Sequence, residues 1–97
     1  MYRSDLLQDK RVLVTGGGSG LGKSLGRRLL ELGADLVICG RRLDKLDVTR
    51  AEFDADFPGR TTTHVCDIRD AEAVEAMLDA IWRDGPLDAL VNNAAGN

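Results

Sequence analysis

The chain has 97 residues, 43% hydrophobic and 30% charged, with 13 basic against 16 acidic side chains and a formal net charge of −3. That length holds one small domain at most, the apolar content excludes a disordered chain, and the acidic balance argues against a nucleic-acid module, which would carry a basic face. No apolar run approaches the roughly 18 residues of a membrane helix, the N-terminus has no apolar signal core, and Cys39, Cys66 and His64 form neither a C-x-x-C nor a zinc spacing, so a cytoplasmic protein with reduced thiols and no metal is expected. Arg11 to Thr15 (RVLVT) is a short β-branched run that stops at a glycine cluster, the pattern of a buried strand entering a tight turn. Leu21, Leu25, Leu29 and Leu32 then recur at helical spacing, and Gly33 stands where a left-handed cap is wanted, which predicts a helix over 20–32. Ala34 to Cys39 is apolar without alternation and predicts a strand covered on both faces. Leu43, Leu46, Phe53 and Phe57 share one face of a second predicted helix that Pro58-Gly59 closes. Thr61 to Cys66 predicts a third strand, placed towards a sheet edge by its threonines. Asp70 is positioned to cap a third helix with Val74, Met77, Leu78, Ile81 and Trp82 on its apolar face, ended by Gly85-Pro86. Leu87 to Val91 predicts a fourth strand that runs into Asn92-Asn93-Ala94-Ala95-Gly96-Asn97.

Strict alternation of strand and helix with short connections predicts an α/β fold, a doubly wound parallel sheet with helices on both faces. An apolar fourth strand left as an open edge is the kind of surface proteins cover. The expectation is therefore a single partial domain over 1–97, cut from a longer one.

In open α/β sheets ligands bind beyond the carboxyl ends of the strands, where the glycine loop falls. Five glycines at 16, 17, 18, 20 and 22 exceed what a surface turn requires. Glycine accepts positive φ, lets the backbone approach a phosphate, and leads here into a helix N-terminus with unpaired N–H groups and a positive dipole end. Two templates overlap on these residues. Gly17 to Ser24 (GGSGLGKS) satisfies G-x-x-x-x-G-K-[ST], the phosphate loop of nucleotidases, with Lys23 on the phosphates and Ser24 on Mg²⁺. That reading needs an acidic residue at the end of an apolar strand, and the fourth strand ends in Asn92-Asn93 instead.

Thr15 to Gly22 (TGGGSGLG) also reads T-G-x-x-x-G-x-G, a basic pair Arg41-Arg42 follows the second strand, Asp67 follows the third, and NNAAG at 92–96 follows the fourth. With these four stretches in this order, over residues 10–97, the chain resembles the short-chain dehydrogenase/reductase family. The resemblance implies a Rossmann-type fold and an oxidoreductase. Gly16, Gly18, Ser19, Gly20 and Leu21 would cradle the dinucleotide. Asp67 would accept from the adenine amino group, and the Ile68 N–H would meet a ring nitrogen. Asn93, Ala94 and Gly96 would pass beneath the ribose, with Asn92 structural. An acidic residue about 20 positions past the loop would select NAD(H). Gly40 stands near that place, and Arg41, with Arg42 beside it, offers a guanidinium fork to a 2′-phosphate, so NADP(H) is favoured over NAD(H).

The family's Tyr-x-x-x-Lys pair is not found, because the one tyrosine is Tyr2 and no lysine follows Lys45. No catalytic residue is assigned, and the chain alone is expected to be inactive. The wording of the loop, Arg41 and NNAAGN resembles the 2,4-dienoyl-CoA reductase branch, implying a small-molecule substrate of acyl-CoA type and, for the full-length protein, a homo-oligomer. The competing readings are the nucleotidase, marked by Mg²⁺-dependent triphosphate binding through Lys23, and a non-catalytic truncated Rossmann fragment, marked by folding without any nucleotide affinity.

Overall fold

A computed structural model describes residues 5–18 and 20–93. The elements follow the expected alternation: β1 (Arg11–Thr15), α1 (Gly20–Glu31), β2 (Asp35–Gly40), α2 (Leu43–Asp56), β3 (Thr61–Val65), α3 (Ala71–Asp84) and β4 (Ala89–Val91). All pairings are parallel, in the order β3-β2-β1-β4. The threonine-rich β3 stands at one edge, as its composition predicts. β4 is shorter than expected. Leu87 and Asp88 lie before it, and Asp88 is occupied instead in a reciprocal pair with Arg11, its N–H donating to the Arg11 carbonyl and its carboxylate accepting from the Arg11 N–H, both at 2.8 Å.

Because strand side chains alternate between faces, the apolar runs supply two cores. Val12, Val14, Leu36 and Ile38 point to one face and are covered by Leu30 of α1 and by Leu46 and Phe53 of α2. Leu13, Val37 and Cys39 point to the other, covered by Cys66 and by Met77 and Ile81 of α3. Helices therefore lie on both faces, α1 and α2 together and α3 opposite.

The buried line of α1 is a correction to the leucine pattern. Gly22, Gly26 and Leu30 face the core, while Leu21 is 66% exposed. The reason is steric: a Cβ on Gly26 would lie 2.9 Å from Leu36 Cδ2 and 3.3 Å from the Phe53 ring, so the helix seats on β2 and α2 through its glycines. Leu43 on α2 and Trp82 on α3 also depart from their expected faces, and Trp82 is 55% exposed.

Helix ends are closed at the amino edge of the sheet by two arginines. The Arg11 guanidinium donates to the carbonyls of Ile81 and Gly85 at 2.7 Å, closing the C-terminus of α3. Arg60 donates to Leu30 O at 3.3 Å and to Ala34 O behind α1. Cations at helix C-termini satisfy orphan carbonyls and oppose the dipole. Asp70 caps α3 as expected, accepting from Glu72 N at 3.1 Å and Ala73 N at 3.2 Å.

Candidate functional site at the carboxyl edge of the sheet

Strand register brings the sequence-predicted residues to one edge. Thr15 pairs with Cys39, Cys39 with His64, Gly40 with Val65, and Val14 with Val91. The glycine loop, Arg41-Arg42, Asp67-Ile68 and Asn92-Asn93 consequently leave the sheet at nearly one level. β1 and β4 adjoin although β2 and β3 intervene in sequence, so the loop stands where the chain crosses from one side of the sheet to the other.

The loop is built by close approach. Gly16 N–H donates to Cys39 O at 3.0 Å, continuing the β1–β2 ladder by one bond. A Cβ on Gly17 would lie 2.5 Å from Ile38 Cγ2, and one on Gly22 would lie 2.2 Å from Gly16 O and 2.7 Å from Asn93 Nδ2. The first turn of α1 thus rests against the loop on one side and the end of β4 on the other. Gly20 opens the helix at a φ of 57°, where only glycine is unstrained, and open space surrounds the place its Cβ would take. No acidic side chain stands in the first turn of α1, so within that turn no carboxylate offsets the positive end of the helix dipole. Gly18 O accepts from Thr49 Oγ1 at 3.0 Å. Leu21 projects outward, and Ser19, Ala94 and Gly96 lie outside the described residues, as does Tyr2.

Thr15 joins β1 to the end of the edge strand β4. Its hydroxyl donates to Asn92 Oδ1 at 3.0 Å and accepts from Asn93 N at 2.8 Å, fixing the turn after β4 against the loop. Asn92 is thereby engaged within the protein. In the sequence, the signals for Thr15 and Thr49 are only a hydroxyl before the glycine run and another between Leu46 and Phe53, and neither by itself indicates these contacts.

The two arginines after β2 differ. Arg42 forks onto Asp44 at 3.2 and 2.9 Å, and that hydrogen bond holds the Asp44 carboxyl below its ordinary range. Arg41 is exposed and makes no hydrogen bond or ion pair among the described residues, though its charge reaches Asp67. Asp67 accepts from the Arg69 guanidinium at 3.0 and 2.9 Å and from the Arg69 N–H at 3.0 Å. The Arg69 side-chain and backbone hydrogen bonds, with a smaller pull from Arg41, lower its pKa to about 2. Half-exposed Ile68 follows at the rim.

Burial, with Cys66 adjoining, pushes the Cys39 thiol up to about 11, so it stays neutral and is no nucleophile at pH 7. Lys23, the cation a phosphate loop would aim at its ligand, pairs with Glu52 of α2. A cavity of about 440 Å³ opens at the opposite, amino edge, between Asp9, Glu31, Asp35, Phe57 and Arg60. Its carboxylates are ill suited to a dinucleotide phosphate. Among the described residues no group of three His, Cys, Asp or Glu could hold a metal ion, and no helix is long and apolar enough to cross a membrane.

A family profile described as short chain dehydrogenase matches residues 10–97. A peroxisomal 2,4-dienoyl-CoA reductase of Danio rerio is 36% identical over 98 residues, covering all of this chain and 33% of that protein. Among solved structures, a citronellol catabolism dehydrogenase of Pseudomonas aeruginosa PAO1 superimposes with a TM-score of 0.91 at 39% identity, over 96% of this chain and 39% of its own. A short chain dehydrogenase from Shigella flexneri, complexed with NADP, does so with a TM-score of 0.89 at 25% identity, over 95% of this chain and 40% of its own. The chain spans about a third of the length of the curated relatives it matches. None of these comparisons supports the nucleotidase reading.

Proposed function

The chain belongs to the short chain dehydrogenase family, and from that membership we infer that its carboxyl sheet edge binds a nicotinamide dinucleotide, NADP(H) in preference to NAD(H), for an oxidoreductase acting on a carbonyl or enoyl substrate. The bound dinucleotide would supply or accept the hydride, and these residues would hold and orient it. Gly16, Gly18, Ser19, Gly20 and Leu21 form the diphosphate cradle, to which Gly17 and Gly22 contribute their missing side chains. Asp67 and the Ile68 N–H take the adenine edge, Arg69 keeping the carboxylate charged and acceptor-only. Asn93, Ala94 and Gly96 would meet the ribose, as the family likeness implies.

The preference for NADP(H) is carried by Arg41. It stands free where β2 ends, with no carboxylate on Gly40 to repel a phosphate, while Arg42 is engaged by Asp44. A guanidinium so placed meets a phosphate dianion through charge-assisted hydrogen bonds. The NADP bound to the Shigella flexneri structure supports the dinucleotide reading.

On this reading the chain is the cofactor-holding part of a longer enzyme, and the proton donor beside the substrate stands in another part of it. The alternation of names among similar proteins, a dienoyl-CoA reductase at 36% and a citronellol catabolism dehydrogenase at 39%, fits a portion that serves the cofactor and leaves substrate choice to residues elsewhere. An acyl-CoA thioester is the substrate class we propose, from the dienoyl-CoA reductase likeness.

Parallel titrations of the 97-residue chain with NADPH, NADH and Mg²⁺-ATP, followed by cofactor fluorescence or heat, test the inference. NADPH should bind most tightly and without turnover. Arg41→Ala should weaken NADPH about ten- to a hundredfold and leave NADH nearly unchanged. Equal loss for the two dinucleotides overturns the phosphate role, and triphosphate binding abolished by Lys23→Ala would restore the nucleotidase.

A further inference from the structure

The side chains that α2 buries are Leu46, Thr49 and Phe53. A hydroxyl thus sits inside an apolar stripe, 1% exposed, where burial is costly unless the group is hydrogen-bonded. The usual outlet for a threonine within a helix is the carbonyl one turn back. Thr49 Oγ1 instead donates to Gly18 O at 3.0 Å, across 31 positions of sequence. Gly18 rests on the same helix, the place of its absent Cβ lying 3.6 Å from Lys45 Cβ and 3.7 Å from Leu46 Cδ2.

This bond heads a seam between the two helices on that face. Below it Lys23 pairs with Glu52, and Arg27 pairs with Asp56 at 2.8 Å, successive turns of α1 meeting successive turns of α2. The ion pairs are partly exposed and contribute little. The Thr49 bond is buried and lands on the glycine loop itself. It also ties that loop to the helix that begins directly after Arg41 and Arg42.

We propose that Thr49 is a positioning residue of the dinucleotide site, its hydroxyl fixing the direction of the Gly18 carbonyl and locking the glycine loop to the helix behind Arg41. The proposal rests on the reading that this loop holds a dinucleotide. Its signature differs from that of Arg41: the hydroxyl sets the cradle common to both cofactors, so its loss weakens NADPH and NADH alike and leaves their ratio unchanged.

The test compares Thr49→Val, which keeps the shape and removes the donor, with Thr49→Ser, which keeps the donor. Dinucleotide titration, thermal midpoint and amide hydrogen exchange are read on the same 97-residue chain. Thr49→Val should weaken both dinucleotides about three- to tenfold and speed exchange at the loop glycines, while Thr49→Ser stays within about twofold of the parent. A Thr49→Val chain that melts lower yet binds both dinucleotides as the parent does overturns the proposal, as does a Thr49→Ser chain as weak as Thr49→Val. Should the valine variant not fold, Thr49→Ser against Thr49→Ala gives the same comparison. If the parent binds neither dinucleotide, the cofactor reading fails, and loop exchange alone decides: acceleration confined to the loop supports the positioning role, and unchanged exchange overturns it.

Discussion

Asp67 and Arg69 show how a short local contact fixes the charge of a carboxylate. The fork from Arg69, reinforced by its N–H, depresses the carboxyl from 3.8 to about 2. A folded-state pKa below the unfolded value means the interaction favours the folded chain above about pH 3.8 and is lost as pH falls towards 2. Carboxyl-carbon NMR should place the Asp67 midpoint near 2, and Arg69→Ala should return it towards 3.8. An unmoved midpoint would show that another group holds the charge. Between pH 5 and 8 the Asp67 charge is then constant, and on the proposed reading NADPH binding should strengthen as pH rises through about 6, where a phosphate opposite Arg41 would take its second charge. Adjacent arginines meet different fates by the same physics. Arg42 has Asp44 two residues on and closes a fork with it, whereas Arg41 has no such neighbour and is unpaired among the described residues.

The helices divide by how they are anchored. α3 is started locally, Asp70 accepting two orphan N–H groups, and is held by Met77 and Ile81 on its buried face and by Arg11 of β1 at its last carbonyls. Asp70→Ala should cost about 1 kcal/mol. Urea unfolding checks this, with a lower midpoint and an unchanged slope. α1 is made by its surroundings. Its glycines bring the backbone close to the sheet and admit the Phe53 ring, and the same closeness places its first turn beneath the loop. α2 has neither a side-chain N-cap bond nor a clean apolar face, and its tie to the glycine loop through Thr49 gives it a role in the site beyond covering the sheet.

Taken together, the two ends of the sheet are finished differently. Arginine side chains stitch the amino edge, while the carboxyl edge presents glycines, a free guanidinium and a helix N-terminus. On the proposed reading, the contacts that close the helix ends and the residues that hold the cofactor lie at opposite edges of the sheet. One side chain links α1, α2 and β2 across the larger core: Phe53 is fully buried against Gly26 and beneath Arg27, whose guanidinium lies 5.6 Å from its ring centroid. Phe53→Ala should cost about 3–5 kcal/mol. In a chain this short the total is at the low end of the usual 5–15 kcal/mol, so far-ultraviolet circular dichroism should show the variant without a cooperative melt. A melt shifted by only a few degrees would locate the stability in the α3 face instead. Leu90 on the terminal strand β4 is 60% exposed, which leaves the opposite core as the thinner of the two.

Element order, the parallel sheet, the edge position of β3, the Asp70 cap and the placing of the glycine loop could all be read along the chain. Each depends on neighbours a few residues apart: apolar run length, turn residues, a cap directly before its helix. The buried face of α1 could not be read in this way, because glycine adds nothing to a hydrophobic pattern and its burial is dictated by Leu36 and Phe53, ten and 27 residues away from Gly26. Nor could the short β4, set by Asp88 turning to Arg11, or the exposure of Trp82. The site divides on the same line. Its residue types and their order were legible, but the bond from Thr49 to Gly18 and the knot of Thr15 with Asn92 and Asn93 arise from contacts that exist only once the strands are in register and the helices are seated on them.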